Sequence, residues 1–176
     1  MIFIKKLIFT FILSILLTAS MPGCSSTGNV KEPPEISISA GDKSLDYVVA
    51  KNKWEGSIYD REDTFVSILK EQKEIPVFEN NNVVEVSFKG KLPDKFTVAD
   101  ILIDENGKQL YTDKEIKNVQ TELKDGKYYF AIEPHFASSL SSYYDPEKKE
   151  IRGFRMTASW GGNECEYAFL IKTHTE

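Results

Sequence analysis

The sequence predicts an all-β sandwich carrying one short helix. Three observations point there. Val84, Val86 and Phe88 alternate with Glu85, Ser87 and Lys89, the period-two pattern of a strand with one buried and one wet face. Turn signals recur along the chain at Pro93–Asp94, Asn106–Gly107, Asp125–Gly126, Asp145–Pro146 and Gly161–Gly162–Asn163, at spacings suited to a sandwich. No strand is followed repeatedly by a long helical segment, which excludes a parallel α/β sheet.

The elements follow in order. Ile36 and Ile38 alternate within Glu35–Ser39, a short first strand, and Asp46–Ala50 reads as a second. Asn52–Gly56 interrupts the pattern. Asp60–Lys73 is the helix candidate, because Phe65, Ile68 and Leu69 fall on one stripe. Asp60 is placed to cap it, with Asp63 in the first turn and Lys70 and Lys73 in the last. Pro76 prevents any continuation. Phe96–Ile103 carries apolar residues on both faces and is expected to be central. Glu115–Leu123 is a weaker strand, and Tyr128, Phe130 and Ile132 mark the next. Pro134–Tyr144 reads as a loop. Two long strands, Ile151–Trp160 and Glu164–Thr173, close the chain. The total is seven to nine strands. The closing hairpin, running into Tyr167-Ala168-Phe169-Leu170-Ile171, resembles the end of an immunoglobulin-like module.

The first residues do not belong to that fold. Lys5 and Lys6 precede an apolar run, Leu7–Leu17, that Pro22 and Gly23 end too early for a membrane span. This is the layout of a signal peptide. Cys24 follows Gly23 and precedes Ser25-Ser26-Thr27-Gly28-Asn29. The segment resembles the lipobox of bacterial lipoproteins, with Met21 and Pro22 where members usually carry an aliphatic and a small residue. The resemblance implies a diacylglyceryl group on the Cys24 thiol and cleavage before it. The alternative is ordinary cleavage near Ala19–Met21 and release of a soluble protein. The excess of lysine over arginine makes the leader look like that of a Gram-positive lipoprotein. The expected organisation is a signal peptide over 1–23, a lipidated flexible tether over 24–34 and one β-sandwich domain over 35–176. Loss of Lys5 and Lys6 takes the net charge from -5 to -7, which favours a body held off an anionic membrane.

Composition narrows function without naming it. Apolar residues make up 41% of the 176 and charged residues 28%, an ordinary globular balance. The acidic excess disfavours a nucleic-acid binder. Two cysteines are too few for a disulfide scaffold or a closed zinc site. Cys165 is flanked by Glu164 and Glu166, which do not activate a thiol, and is expected to be a buried core residue. His135 and His174 lack metal-ligand spacing. Asp104-Glu105-Asn106-Gly107 has Lys108 where a calcium loop needs an oxygen ligand. No catalytic set, metal site or cofactor is expected.

Two stretches remain as candidate binding surfaces. Trp54 to Asp63 brings Trp54, Asp60 and Arg61 together. The same residues would also serve the start of a helix, with Trp54 packed in the core. Ser141-Ser142-Tyr143-Tyr144, with Trp160 near the final turn, offers rigid aromatic contact area, although aromatics at strand ends also suit core packing. The expected function is a non-catalytic binding or interaction module at the extracytoplasmic face of the cell membrane, held by its lipid, with a protein or cell-wall partner. An accessory or sensory regulator of a membrane receptor or enzyme is the alternative, and a carboxylate-based hydrolase of wall polymers the third.

Overall fold

The structure is a computed structural model, and it describes residues 31–60, 63–71, 74–140, 145 and 147–175. Cys24 and the leader lie outside the described residues. Two antiparallel sheets pack face to face with one helix laid on the outer side of the second. The strands are β1 Ile36–Ala40, β2 Lys43–Ser44, β3 Val48–Trp54, β4 Ser57–Ile58, β5 Val83–Phe88, β6 Lys95–Ile103, β7 Lys117–Val119, β8 Glu122–Lys124, β9 Lys127–Ala131, β10 Lys149–Trp160 and β11 Asn163–His174. The five-stranded sheet runs β2-β1-β5-β9-β8 and the six-stranded sheet β4-β3-β11-β10-β6-β7. Within them, β1-β5-β9-β8 and β6-β10-β11 follow the ABED and CFG orders of an immunoglobulin-type sandwich. The expected all-β sandwich is therefore present.

Alternation places the core. Ile36 and Ile38, Val84, Val86 and Phe88, and Phe130 face Phe154, Met156, Ala158, Cys165, Tyr167, Phe169 and Ile171 across the sheets. Cys165 is fully buried, as expected. A second, smaller cluster forms on the outer face, where Phe65 and Ile68 of the helix α1 (Thr64–Glu71) cover Ile101, Ile103, Ala168 and Leu170. β6 therefore buries both faces toward its C-terminal end, which accounts for its apolar residues on both sides.

Three sequence expectations change. The helix starts later than Asp60: Asp63 lies just before it, its carboxylate accepting from Val66 N–H at 3.4 Å and its carbonyl from Ser67 N–H at 3.1 Å. Asn52–Trp54 does not break the strand. The register shifts so that Glu164 faces Lys53 while Cys165 faces Lys51, leaving Asn52 as a bulge. The extra residue reverses the alternation and turns Trp54 into the core. Glu115–Leu123 is two strands rather than one, β7 in the second sheet and β8 in the first. The chain crosses between sheets at Gln120–Thr121.

Two glycines hold α1 in place. Gly107 has φ +83° in the β6 exit turn, and a side chain there would lie 2.9 Å from Val66 N. At Gly153 a Cβ would lie 2.5 Å from the Phe65 ring. The helix sits directly on sheet backbone at that point.

Candidate functional site

The two ends of the sandwich differ, and chain direction decides which end holds what. Lys31–Pro34, read in the sequence as the last part of a tether, lie against one end. Trp54 Nε1 donates to Lys31 O at 2.7 Å, Tyr167 Oη donates to Pro34 O at 2.6 Å, and Glu32 pairs with Lys51. β10 and β11 run the length of the second sheet, 12 residues each, or about 36 Å at ~3.3 Å per residue. Their far ends, Lys149 and His174, form the other end of the sandwich.

That far end is polar inside. Asp100 and Arg152 share the inward face of β6 and β10, at registers where Val98, Leu102, Phe154 and Met156 are apolar. Both are buried and form a two-pronged ion pair, Arg152 Nε to Asp100 Oδ1 at 3.1 Å and Nη2 to Oδ2. Nη2 also donates to Glu133 O at 2.7 Å, and Nη1 to Thr173 Oγ1 at 3.4 Å. Burial of a charge is costly unless its hydrogen bonds are satisfied, and here each prong has a partner.

A short segment closes this end. Glu133–Leu140 follows β9 and includes a 3-10 turn, Phe136–Leu140. His135 is buried under it. Ala137 N–H donates to His135 Nδ1 at 3.2 Å, so Nδ1 carries no proton, and Nε2–H donates to Asp100 O at 3.2 Å. Burial, chiefly, holds the His135 pKa below its ordinary value. Lys117 Nζ ties Glu133 down at 2.8 Å and keeps its carboxylate ionised. Ser138 Oγ donates to Glu150.

Beside this plug lies an open cleft of about 460 Å³, lined among others by Asp104, Asp145, Glu150, Lys148, Lys149 and Lys172, a size that suits a ligand or a peptide segment. Three of its carboxylates accept from neutral donors. Asp104 Oδ1 accepts from Asn106 N at 2.9 Å and Lys108 N at 2.8 Å, and the Lys108 bond first of all lowers its pKa. Asp145 accepts from Glu147 N at 3.0 Å, and Glu150 from Ser138. Among the described residues, none of the three lysines has an ion-pair partner. Such a cleft suits recognition of mixed charge. Asp104, kept ionised, does not suit proton donation.

The sequence-chosen residues scatter. Trp54 and Trp160 are core residues, only 1% and 5% exposed. Their rings meet edge-on at 6.1 Å, and Trp160 Nε1 donates to Lys91 O at 3.0 Å, so both are packed inside, as the core alternative has it. Asp60 is exposed beside Tyr59. Arg61, Tyr143 and Tyr144 lie outside the described residues. In the sequence His135 is weighed only as a metal ligand, and neither Asp100 nor Arg152 is singled out. The available signal was one charge of each sign at core-facing positions of strands whose other core-facing positions are apolar. Cys165 sits in the core with its pKa pushed up to about 12, chiefly by burial. Among the described residues, no group of three His, Cys, Asp or Glu is arranged to hold a metal, and no helix is long and apolar enough to cross a membrane.

No family model matches the chain, and no curated protein shows significant similarity to it.

Proposed function

We propose that the chain is a membrane-anchored extracytoplasmic lipoprotein whose sandwich is a non-catalytic recognition module. The observation that supports this reading is the polarity of the molecule. The stretch that leads back to Cys24 docks at the Trp54 end, and the mixed-charge cleft opens at the opposite end. With a lipid on Cys24, six residues, 25–30, separate the anchor from the docked Lys31. They span at most about 20 Å. The cleft would then face away from the bilayer, toward a protein or cell-wall partner, and two acyl chains would make the attachment stable.

Cys24→Ser tests the anchor. The wild-type chain is expected in the membrane fraction and the variant in the medium after cell fractionation. A variant that stays with the membrane overturns the lipid attachment.

A further inference from the structure

The tether meets the fold on one hairpin. β3 and β4 are joined by Glu55–Gly56, two residues with φ +49° and +82°, so that Lys53 pairs with Ile58 and Trp54 with Ser57. Trp54 and Lys51 of this hairpin hold Lys31 and Glu32. The same hairpin leaves Ile58 84% exposed, and no other large apolar side chain among the described residues exceeds 59%. Tyr59 follows it, 44% exposed, with Lys51 Nζ 5.9 Å over its ring.

A single exposed apolar side chain is ordinary on a protein surface. Its position is what matters here. Six residues, 25–30, lead from Cys24 to Lys31 and span at most about 20 Å, so a lipid on Cys24 keeps this hairpin beside the bilayer. Contact with the bilayer is then intramolecular and needs little affinity of its own. The residue types suit the interface: isoleucine for the acyl boundary, tyrosine at headgroup level and lysine reaching toward phosphate.

The distribution of charge agrees. Residues 51–60 carry two lysines and two acids, and Lys89–Glu35 and Lys91–Asp94 form ion pairs at the same end. At the far end, 104–115 and 145–150 carry seven acids against four lysines. An anionic surface therefore repels the far end and leaves the tether end free to approach.

We propose that the β3–β4 hairpin is a membrane-contact element. Ile58 and Tyr59 enter the interfacial layer of the bilayer that holds Cys24 and fix the sandwich upright, with the far-end cleft presented outward. The proposal rests on the lipid attachment and adds an orientation to it.

The test uses the full chain, purified in detergent from the membranes of the cells that produce it and reconstituted into vesicles of phosphatidylcholine and phosphatidylglycerol. A polarity-sensitive fluorophore is placed through Ser57→Cys, which keeps Ile58, and in a second protein through Leu110→Cys at the far-end cleft. With Cys24 acylated and Cys165 buried, the introduced thiol takes the label. Nitroxide groups on the acyl chains are expected to quench the Ser57→Cys probe at least about twofold and the Leu110→Cys probe not at all, as for a group seated in the interface. Adding Ile58→Asp is expected to abolish the quenching, with circular dichroism to check the fold. An anchored chain whose two probes respond alike overturns the proposal and leaves the anchor standing. So does quenching that survives Ile58→Asp, or a Ser57→Cys probe shielded from water without quenching, as a second copy of the chain would leave it. A chain that does not sediment with the vesicles overturns the anchor and this proposal with it.

Discussion

The two ends of the inter-sheet core are filled by opposite chemistry. At the tether end, Phe88 meets Phe96, Tyr128, Trp160 and Tyr167 edge-on, with ring centroids 5.5–6.0 Å apart. At the far end, Arg152 and Asp100 fill the same layer between the same sheets. Aromatic burial is non-directional, so losing part of it costs in proportion to the area and contacts removed. The ionic plug is conditional: it is tolerable only while every partner is present. The end that carries the cleft is therefore the end where stability rests on a few hydrogen bonds.

The largest effect is expected from breaking the plug. Arg152→Met leaves the Asp100 carboxylate buried without its counter-charge, at a cost of about 3–5 kcal/mol. Denaturant unfolding followed by tryptophan fluorescence measures it. A loss under about 1 kcal/mol would show that the pair is not buried as described. The double variant Asp100→Leu with Arg152→Met sharpens the point, because replacing both charges by apolar groups is expected to recover most of the loss. Phe88→Leu, at the other end, keeps a buried apolar side chain and gives up ring contacts, for about 1–2 kcal/mol. If Phe88→Leu cost as much as Arg152→Met, the contrast between the ends would fail.

The same contrast explains what could be read from the sequence. The aromatic end was legible as architecture, because alternation in β5, β9, β10 and β11 assigns Phe88, Phe130, Phe154 and Tyr167 to one layer without knowledge of the partners. The hairpin at Asp125–Gly126 was legible too, since Lys124 pairs with Lys127 across two residues with φ +50° and +77°. The role of Trp54 was left open, because one bulge residue, invisible to a period-two reading, decides which face it joins. The far end was least legible. His135 and Arg152 are 17 positions apart in sequence, and Asp100 is in a third element. Only the folding of Glu133–Leu140 over β6 and β10 gives His135 its two hydrogen bonds, and no local pattern carries that information.

The smallest expected effect is a change in pH dependence at the far end. His135 accepts from Ala137 N–H through Nδ1, so protonation of Nδ1 sets two donors against each other. Asp100, Arg152 and Glu150 are the charged groups that act on the ring. With the folded pKa lowered by burial, the unfolded chain binds the proton more readily. Stability is then full above the ordinary histidine value of about 6.5 and falls as pH drops toward the folded value, by at most about 1.4 kcal/mol per pH unit. In His135→Asn the side-chain oxygen can take the place of Nδ1 and does not titrate. The variant is expected to lose less stability than the wild type between pH about 6.5 and about 5, measured by urea unfolding at each pH. Equal slopes in the two proteins would mean that His135 is not the group whose protonation loosens the closing segment, and the acid sensitivity of this end would then have to come from its carboxylates.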